Sequence, residues 1–173
     1  MTTSDKLPED GELKIKPGWK FLFSHPAHLL SFGFGSGLAR HAPGTFGTMA
    51  AYPIYWYLAP RLSDEWFMLM LACAFIIGIW TSDITGRALG VADYGGIVWD
   101  EIVAMLLVLF FTPPGWYWSL LAFALFRFFD IVKLPPIRHF DSNWHGGLGV
   151  MFDDLLAAGY ALLCMAAIKS MLL

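Results

Sequence analysis

The stretch IVWDEIVAMLLVLFFTPPGWYWSLLAFALFRFFD, residues 97–130, consists of two apolar runs separated by the sequence TPPG at 112–115. A pair of prolines followed by glycine does not continue a helix, because proline lacks the amide hydrogen and clashes with the preceding turn. The runs 102–111 and 116–126 are therefore predicted to form two antiparallel helices joined by a tight turn.

The remaining apolar segments are 46–59, 66–82 and 155–173, in a chain of 173 residues that is 57% hydrophobic and 14% charged. This is more apolar surface than a domain of this size usually buries, which indicates a membrane-embedded protein. A helix needs about 20 residues to cross a bilayer, so only 66–82 and 155–173 come close to spanning it. The predicted fold is all-α, a compact bundle of apolar, partly membrane-embedded helices with short or half-inserted spans.

The first 20 residues differ from the rest in being polar, with interspersed charges and prolines. They contain no apolar stretch of the kind found in a signal peptide or a membrane span, so a mobile tail is predicted. Residues 21–173 are expected to form a single helical domain. The net charge of -3 and the lack of a basic stripe with aromatic residues argue against a nucleic-acid partner.

Charge is distributed unevenly over the predicted loops. When the spans are counted back and forth, every lysine and arginine except Arg61 and Lys169 falls on one side of the membrane. The positive-inside rule makes that side cytoplasmic. The turns 61–65 and 112–115 are expected on the other side of the membrane. Three segments with acids, bases and glycines are expected on the cytoplasmic face: 33–47, 83–101 and 127–154.

Two pairs of adjacent acids stand at the edges of apolar runs, Asp100 with Glu101 and Asp153 with Asp154. Burying an unpaired charge there is costly, so the acids are expected to be neutralised by a cation or by basic partners. Helix capping is the structural alternative, since acids at a helix N-terminus interact favourably with its dipole and free amides. Capping does not require two adjacent acids at two separate helix starts, and a cation site is the favoured interpretation.

Magnesium fits these acids best among the common cations. It takes hard oxygen ligands, keeps some of its water and commonly joins carboxylates to a substrate phosphate. Zinc would call for histidine or cysteine at ligand spacing. The candidate ligands are Asp100, Glu101, Asp153 and Asp154.

Basic residues precede the second acid pair in the sequence FRFFDIVKLPPIR. Arg127, Asp130 and Lys133 recur at three-residue spacing, which places them along one face of a helix. Pro135 is expected to end that helix, and Arg138 follows it. A guanidinium grips two phosphate oxygens while an ammonium acts as a point charge, so this cluster suits a phosphate bound through a divalent metal. An intrahelical ladder of ion pairs is the open alternative.

The segment SFGFGSGLARHAPGTFGT is rich in glycine and hydroxyl side chains. Gly33 and Gly37 have the GxxxG spacing that lets helices approach closely, and packing is the favoured interpretation for them. Ser36 and Thr45 could offer hydroxyls to a phosphate, beside the amide of Gly44. No P-loop is present, because GxxxxGK[ST] has no match in the chain.

Five motifs follow one another over most of residues 28–159: HLLSFGFGSGL, APGTFGT, DYGGIVWDEIVAM, FRFFDIVKLPPIR and HGGLGVMFDDLLAAG. In this order they resemble the successive signatures of the phosphatidylglycerophosphatase A family. The resemblance implies a helical, magnesium-dependent enzyme of the bacterial inner membrane that hydrolyses phosphatidylglycerol phosphate to phosphatidylglycerol and inorganic phosphate in phospholipid biosynthesis. One departure is Leu134, where the family signature generally has proline, so the helix is expected to end one residue later.

The resemblance and the residues together imply how the site is organised. Magnesium is expected to be held by Asp100 and Glu101 with one or both of Asp153 and Asp154. The phosphate is expected to contact basic and hydroxyl side chains: Arg127, Lys133, Arg138, Ser36 and Thr45. Asp130 is then either a further ligand or the base, which gives the expected catalytic acids Asp100, Glu101, Asp130 and Asp154. The acyl chains of the substrate would stay in the bilayer while its headgroup reaches the acids.

Two other functions remain as alternatives. A CDP-alcohol phosphotransferase also uses carboxylates and a divalent metal at the membrane edge, and Asp83, Gly86 and Arg87 are similar to the start of its motif. The series of aspartates does not continue, because Ala104 stands where another is expected after Asp100. A small ion or proton carrier would place its acids in the middle of helices rather than at their starts.

Overall fold

The computed structural model describes residues 13–91, 94–135 and 146–172. Within these residues all regular structure is helical and no β-strand is present, which confirms the all-α prediction. The α-helices of this part of the chain are α1 Trp19–Leu22, α2 Pro26–Ser31, α3 Pro43–Leu58, α4 Asp64–Leu89, α5 Trp99–Phe111, α6 Trp116–Val132 and α7 Gly147–Leu172. A 3-10 helix, Gly33–Leu38, lies between α2 and α3.

Two of these helices, α4 and α7, are long and apolar enough to cross a membrane. Only 28% of the apolar window of α4 and 39% of that of α7 are buried inside the protein, so most of their surface faces outward. Apolar helix surface that the protein itself does not cover is suited to lipid. The sequence indicated the same two segments as those nearest to full span length.

Helix α5 forms the centre of the bundle. Its 13 residues extend about 20 Å, which is too short to cross a bilayer. Ile102, Met105 and Val108 are completely covered, and α5 packs against α3, α4, α6 and α7. A helix that is apolar all round is expected to be buried in this way. The turn at 112–115 separates α5 from α6, as predicted.

The chain reverses direction twice at one end of the bundle. Leu62 and Asp64, around the start of α4, line one cavity together with Phe110 and Phe111 at the end of α5. The turns after α3 and after α5 therefore lie at the same end, as the predicted order of loops requires. The first acid pair lies at the opposite end of α5.

Helix α7 begins earlier than the sequence indicated. It starts at Gly147, so Asp153 and Asp154 lie within the helix and not at its start. Gly147 packs against α4, where a Cβ atom on it would overlap the carbonyl oxygen of Ile79. This close approach allows the helix to include the glycine-rich segment before the acids. The expectation that both acid pairs stand at helix starts is wrong for the second pair, and helix capping does not explain its charges.

Helix α6 ends before the proline that was expected to end it. Its last residue is Val132, and Lys133 adopts a left-handed conformation with φ 45° and ψ 62°. The Lys133 amide donates to the carbonyl of Phe129 and closes the last turn. Arg127 and Asp130 share the helix, whereas Lys133 lies just beyond it. The prediction of one helical face is correct for the first two residues only, and the helix ends earlier, not later, than expected.

Gly33 and Gly37 are packing positions, as predicted, but they do not join two α-helices. Gly33 has φ +52°, and a Cβ atom on it would approach Ile102 Cδ1 to 2.7 Å. At Gly37 a Cβ atom would overlap the carbonyl oxygen of Gly96. The 3-10 helix therefore packs directly on α5 and on the loop that precedes it.

Candidate active site

Three carboxylates from two helices converge at the end of the bundle where α5 begins. Asp100 and Glu101 occupy the first turn of α5, and Asp154 belongs to α7. One oxygen atom from each carboxylate lies within 4.8 Å of the others. The exposed fraction is 8% for Asp100, 4% for Asp154 and 13% for the Glu101 side chain. These three largely buried carboxylates, the acid cluster, could hold a metal ion.

The acid cluster contains buried carboxylate oxygens that accept no hydrogen bond from the described residues. Within the described residues, Glu101 Oε2 and Asp154 Oδ2 are buried and accept no hydrogen bond. Burial raises the pKa of the Glu101 carboxyl well above its usual range, and the Asp154 charge raises it further. Buried carboxylate oxygens without donors fit a hard divalent cation such as Mg²⁺. The cluster contains neither histidine nor cysteine, the ligands that zinc sites usually use.

Arg127 of α6 provides positive charge beside the acid cluster. Its Nη1 lies 2.5 Å from Asp130 Oδ2 and 3.7 Å from Glu101 Oε1. The contact with Asp130 is an ion pair within α6, as the predicted series of ion pairs requires. The contact with Glu101 joins α6 to α5. The Nε atom of Arg127 is buried and donates to no described residue. A guanidinium offers several N–H donors in one plane, a geometry that matches carboxylate and phosphate oxygens.

The start of α3 forms the wall against which Glu101 and Arg127 pack. A Cβ atom on Gly44 would overlap Glu101 Oε1 and would lie 3.1 Å from Arg127 Nη1. Thr48 donates to the Gly44 carbonyl at 2.8 Å, and its hydroxyl oxygen lies 3.4 Å from Arg127 Nη1. The sequence singled out Gly44 for its amide and did not single out Thr48. Their four-residue spacing in APGTFGT, which places both on one helical face, is the signal that links them.

Asp153 has a different environment from its neighbour Asp154. Its Oδ2 accepts a hydrogen bond from Lys133 Nζ at 2.7 Å, and its Oδ1 accepts one from the Asp154 amide at 3.0 Å. Asp153 is therefore not one of the three converging carboxylates. The left-handed turn at Lys133 directs the ammonium group towards α7. Lys133 and Asp153 form a partly buried ion pair next to the acid cluster.

Three further residues were predicted to contact phosphate. Ser36 Oγ donates to the carbonyl of Gly33 at 2.9 Å, within the 3-10 helix. Thr45 follows Gly44 in the first turn of α3 and is partly buried. Arg138 lies outside the described residues. Among the predicted basic contacts, the structure therefore describes Arg127 and Lys133 next to the acids.

Comparison with known proteins gives extensive matches. The family model for phosphatidylglycerophosphatase A matches residues 29–169. A protein named phosphatidylglycerophosphatase A from Haemophilus influenzae is 45% identical over 151 residues, 87% of this chain and 93% of the relative. A protein of the same name from Escherichia coli is 44% identical over 135 residues, 78% of each chain.

A more distant relative bears another name. A Bacteroides thetaiotaomicron protein provisionally named phosphatidylinositol-3-phosphatase is 38% identical over 148 residues, 82% of this chain and 92% of the relative. No solved structure matches the chain. The family match includes every residue of the acid cluster together with Gly44, Arg127 and Lys133. The chain belongs to the phosphatidylglycerophosphatase A family.

Proposed function

We propose that the chain hydrolyses phosphatidylglycerol phosphate to phosphatidylglycerol and inorganic phosphate, with Mg²⁺ held by the acid cluster. The observation that supports this function is the convergence of three largely buried carboxylates beside a largely buried arginine. Carboxylates, a divalent ion and a guanidinium suit phosphoryl transfer because the reaction spreads negative charge over the phosphate oxygens. The names of the Haemophilus influenzae and Escherichia coli relatives supply the substrate.

Each residue of the site has a role in this reaction. Asp100, Glu101 and Asp154 would hold the cation, which when bound supplies Lewis-acid stabilisation to the phosphate and lowers the pKa of a coordinated water. Arg127 would bind a phosphate oxygen and offset the charge that develops on it. Asp130 borders the cluster, pairs with Arg127 and would accept the proton of the attacking water.

The bonds made and broken follow from the products. The oxygen atom of the water forms a bond to phosphorus, and the bond between phosphorus and the glycerol oxygen breaks. The glycerol oxygen takes up a proton and leaves as the hydroxyl group of phosphatidylglycerol. Inorganic phosphate is the second product, and Arg127 would neutralise part of its charge until release.

The proposed setting is the cytoplasmic face of the bacterial inner membrane, where the reaction would be a step of phospholipid biosynthesis. Two membrane-length helices and the concentration of basic residues on one side support a multi-pass protein with this orientation. Residues 21–173 would form one phosphatase domain, preceded by the polar tail 1–20. The acyl chains would then remain in the bilayer during hydrolysis.

Release of inorganic phosphate by the purified protein in detergent tests this function. Phosphatidylglycerol phosphate in mixed micelles should be hydrolysed with Mg²⁺, should be stable with a chelator, and should be hydrolysed again after Mg²⁺ is restored. Phosphatidylinositol 3-phosphate is the comparison substrate because of the name of the Bacteroides relative, and slower release from it is expected. Absence of metal-dependent release from phosphatidylglycerol phosphate would contradict the function, and faster release from the inositol lipid would contradict the substrate.

The alternatives from the sequence differ in their support. Asp83, which resembles the start of the phosphotransferase motif, forms an exposed ion pair with Arg87 at 2.8 Å. It does not belong to the acid cluster. One observation supports the ion-carrier alternative: Asp154 lies inside a membrane-length helix. A carrier would move ions across a vesicle membrane without releasing phosphate, so the same assay separates it from a phosphatase.

A further inference from the structure

A second pocket lies at the same end of the bundle as the acid cluster. It has a volume of about 440 Å³ and is formed by the segment before α1, by the segment leading into α3 and by the loop before α5. We refer to it as the basic pocket. The lining residues that matter for its chemistry are Lys16, Gly37, Arg40, Pro43 and Gly96.

The basic pocket has positive charge that the described protein does not neutralise. Lys16 and Arg40 are both exposed at the pocket. Within the described residues, neither of them forms an ion pair or a side-chain hydrogen bond. None of the described lining residues is acidic. Two cations around one concave surface, with no partner among the described residues, favour an anionic ligand.

Three glycines, Gly37, Gly95 and Gly96, line the basic pocket beside apolar and aromatic side chains. Gly37 and Gly96 are in direct contact, since a Cβ atom on Gly37 would overlap the Gly96 carbonyl oxygen. At Gly95 a Cβ atom would meet nothing within 4 Å, so this part of the loop borders open space. Glycine main chain lets a ligand approach closely, which larger side chains at these positions would prevent.

Pro43 connects the basic pocket to the acid cluster. Pro43 lines the pocket, and the next residue, Gly44, contacts Glu101 and Arg127. Because consecutive Cα atoms lie about 3.8 Å apart, the first turn of α3 reaches both sites with two adjacent residues. A ligand that extends from one site to the other therefore needs two anionic groups a short distance apart. Phosphatidylglycerol phosphate has this form, with one glycerol between its internal phosphodiester and its terminal phosphate.

Exposed aromatic residues lie close to the basic pocket. Trp19 and Phe34 are both 58% exposed, and Trp19 packs over Gly35, close in sequence to the pocket residue Gly37. Tryptophan is enriched where lipid headgroups meet the hydrocarbon region. Exposed aromatic residues close to the pocket are consistent with a ligand that belongs to a membrane lipid.

We infer that the basic pocket binds the internal phosphodiester of the lipid substrate while the terminal phosphate lies at the acid cluster. The inference rests on the proposed function, because it assigns the two phosphates of that substrate to two sites. Lys16 and Arg40 then select lipids with a phosphodiester in addition to the phosphate that is removed. Phosphatidic acid, whose single phosphate is a monoester, would not use the pocket.

Replacement of both cations, Lys16→Gln with Arg40→Gln, tests the inference. The KM for phosphatidylglycerol phosphate is expected to rise about tenfold, equivalent to about 1.4 kcal/mol, with little change in kcat. The rate with phosphatidic acid, however slow, is expected to be the same as that of the wild type. Lys20→Gln is the matched control, because Lys20 is exposed on α1 and does not line the pocket.

Binding of phosphatidylglycerol in mixed micelles provides a second readout that needs no turnover. The double variant is expected to bind this lipid about tenfold more weakly than the wild type. Absence of phosphatase activity in the wild type would contradict the proposed function. The binding measurement would still test whether the basic pocket binds a phosphodiester. Unchanged binding in the double variant would overturn the inference. An equal loss in Lys20→Gln would do the same, because it would indicate general attraction to an anionic surface.

Discussion

Gly44 and Glu101 are in direct contact, so that a Cβ atom at position 44 would overlap the Oε1 atom of Glu101. The contact joins the first turn of α3 to the first turn of α5. The same Cβ atom would lie 3.1 Å from Nη1 of Arg127. The placement of one carboxylate and of the guanidinium beside it therefore depends on the absence of a single methyl group.

Gly44→Ala is expected to reduce kcat for phosphatidylglycerol phosphate by tenfold to about 100-fold, because the methyl group displaces Glu101 or Arg127 from the geometry that the reaction needs. Rates of phosphate release are compared with those of Gly159→Ala, a control on α7. A Cβ atom on Gly159 would meet nothing within 4 Å, so its activity should persist. Its stability should rise by about 0.5–1 kcal/mol, because alanine is the better helix residue. Full activity in Gly44→Ala would contradict the role given to this contact.

Arg127→Lys keeps the positive charge but loses the planar fork that contacts Asp130 and Glu101 and that we propose also binds the phosphate. The expected result is a loss of about 100-fold in kcat/KM, measured by steady-state phosphate release. Thr48→Val, which removes the 3.4 Å contact with Arg127 and the hydrogen bond to the Gly44 carbonyl but leaves the guanidinium in place, should lower the rate much less. A lysine variant as active as the wild type would show that point charge alone is sufficient.

Asp153 was predicted to be a metal ligand, whereas the structure pairs it with Lys133. If the ion pair is its role, Asp153→Asn and Lys133→Gln should each lower stability by about 1–3 kcal/mol. The double variant should lose little more than either single variant. The Mg²⁺ concentration that gives half the maximal rate should not change in either one. An increase in that concentration for Asp153→Asn alone would instead make Asp153 a ligand.

Mg²⁺ is expected to raise the apparent Tm of the wild type, because an ion that binds only the folded state stabilises that state. At an ion concentration of 100 times Kd, the free energy of unfolding rises by about 2.7 kcal/mol. Asp154→Asn should abolish this increase. In chelator it should melt at or above the wild-type temperature, since it removes a buried charge whose Oδ2 has no described donor. Asp83→Asn, which removes an exposed acid paired with Arg87, should retain the increase. An Mg²⁺-dependent increase in Asp154→Asn equal to that of the wild type would contradict the cluster.

Many residues of the site could be predicted from the sequence, because a charged residue at the edge of an apolar run has few physical explanations. Asp100, Glu101 and Asp154 attracted notice for this reason, and the structure brings them together. Arg127 and Asp130 were linked by helical spacing, and their ion pair bears this out. The turn between α5 and α6 was predictable from local chemistry alone, since two adjacent prolines followed by glycine do not continue a helix.

The remaining features depend on contacts between distant parts of the chain. Nothing near Lys133 requires the left-handed turn that directs its ammonium to Asp153 and so separates that acid from the cluster. The contact of Gly44 with Glu101 exists only after α3 and α5 have packed. The early start of α7 likewise depends on the close approach of Gly147 to α4. Local spacing carries no information about such approaches, which is why sequence reasoning missed them.

The rate of phosphate release from phosphatidylglycerol phosphate as a function of free Mg²⁺ tests the central claim most directly. The wild type should show a saturable dependence with no release in chelator, and Asp83→Asn should follow the same curve. Glu101→Gln, which keeps the shape of the side chain and removes its charge, should show no release at any Mg²⁺ concentration. Release by the wild type in chelator, or a Glu101→Gln curve that coincides with the wild-type curve, would contradict a metal-dependent phosphatase site at these carboxylates.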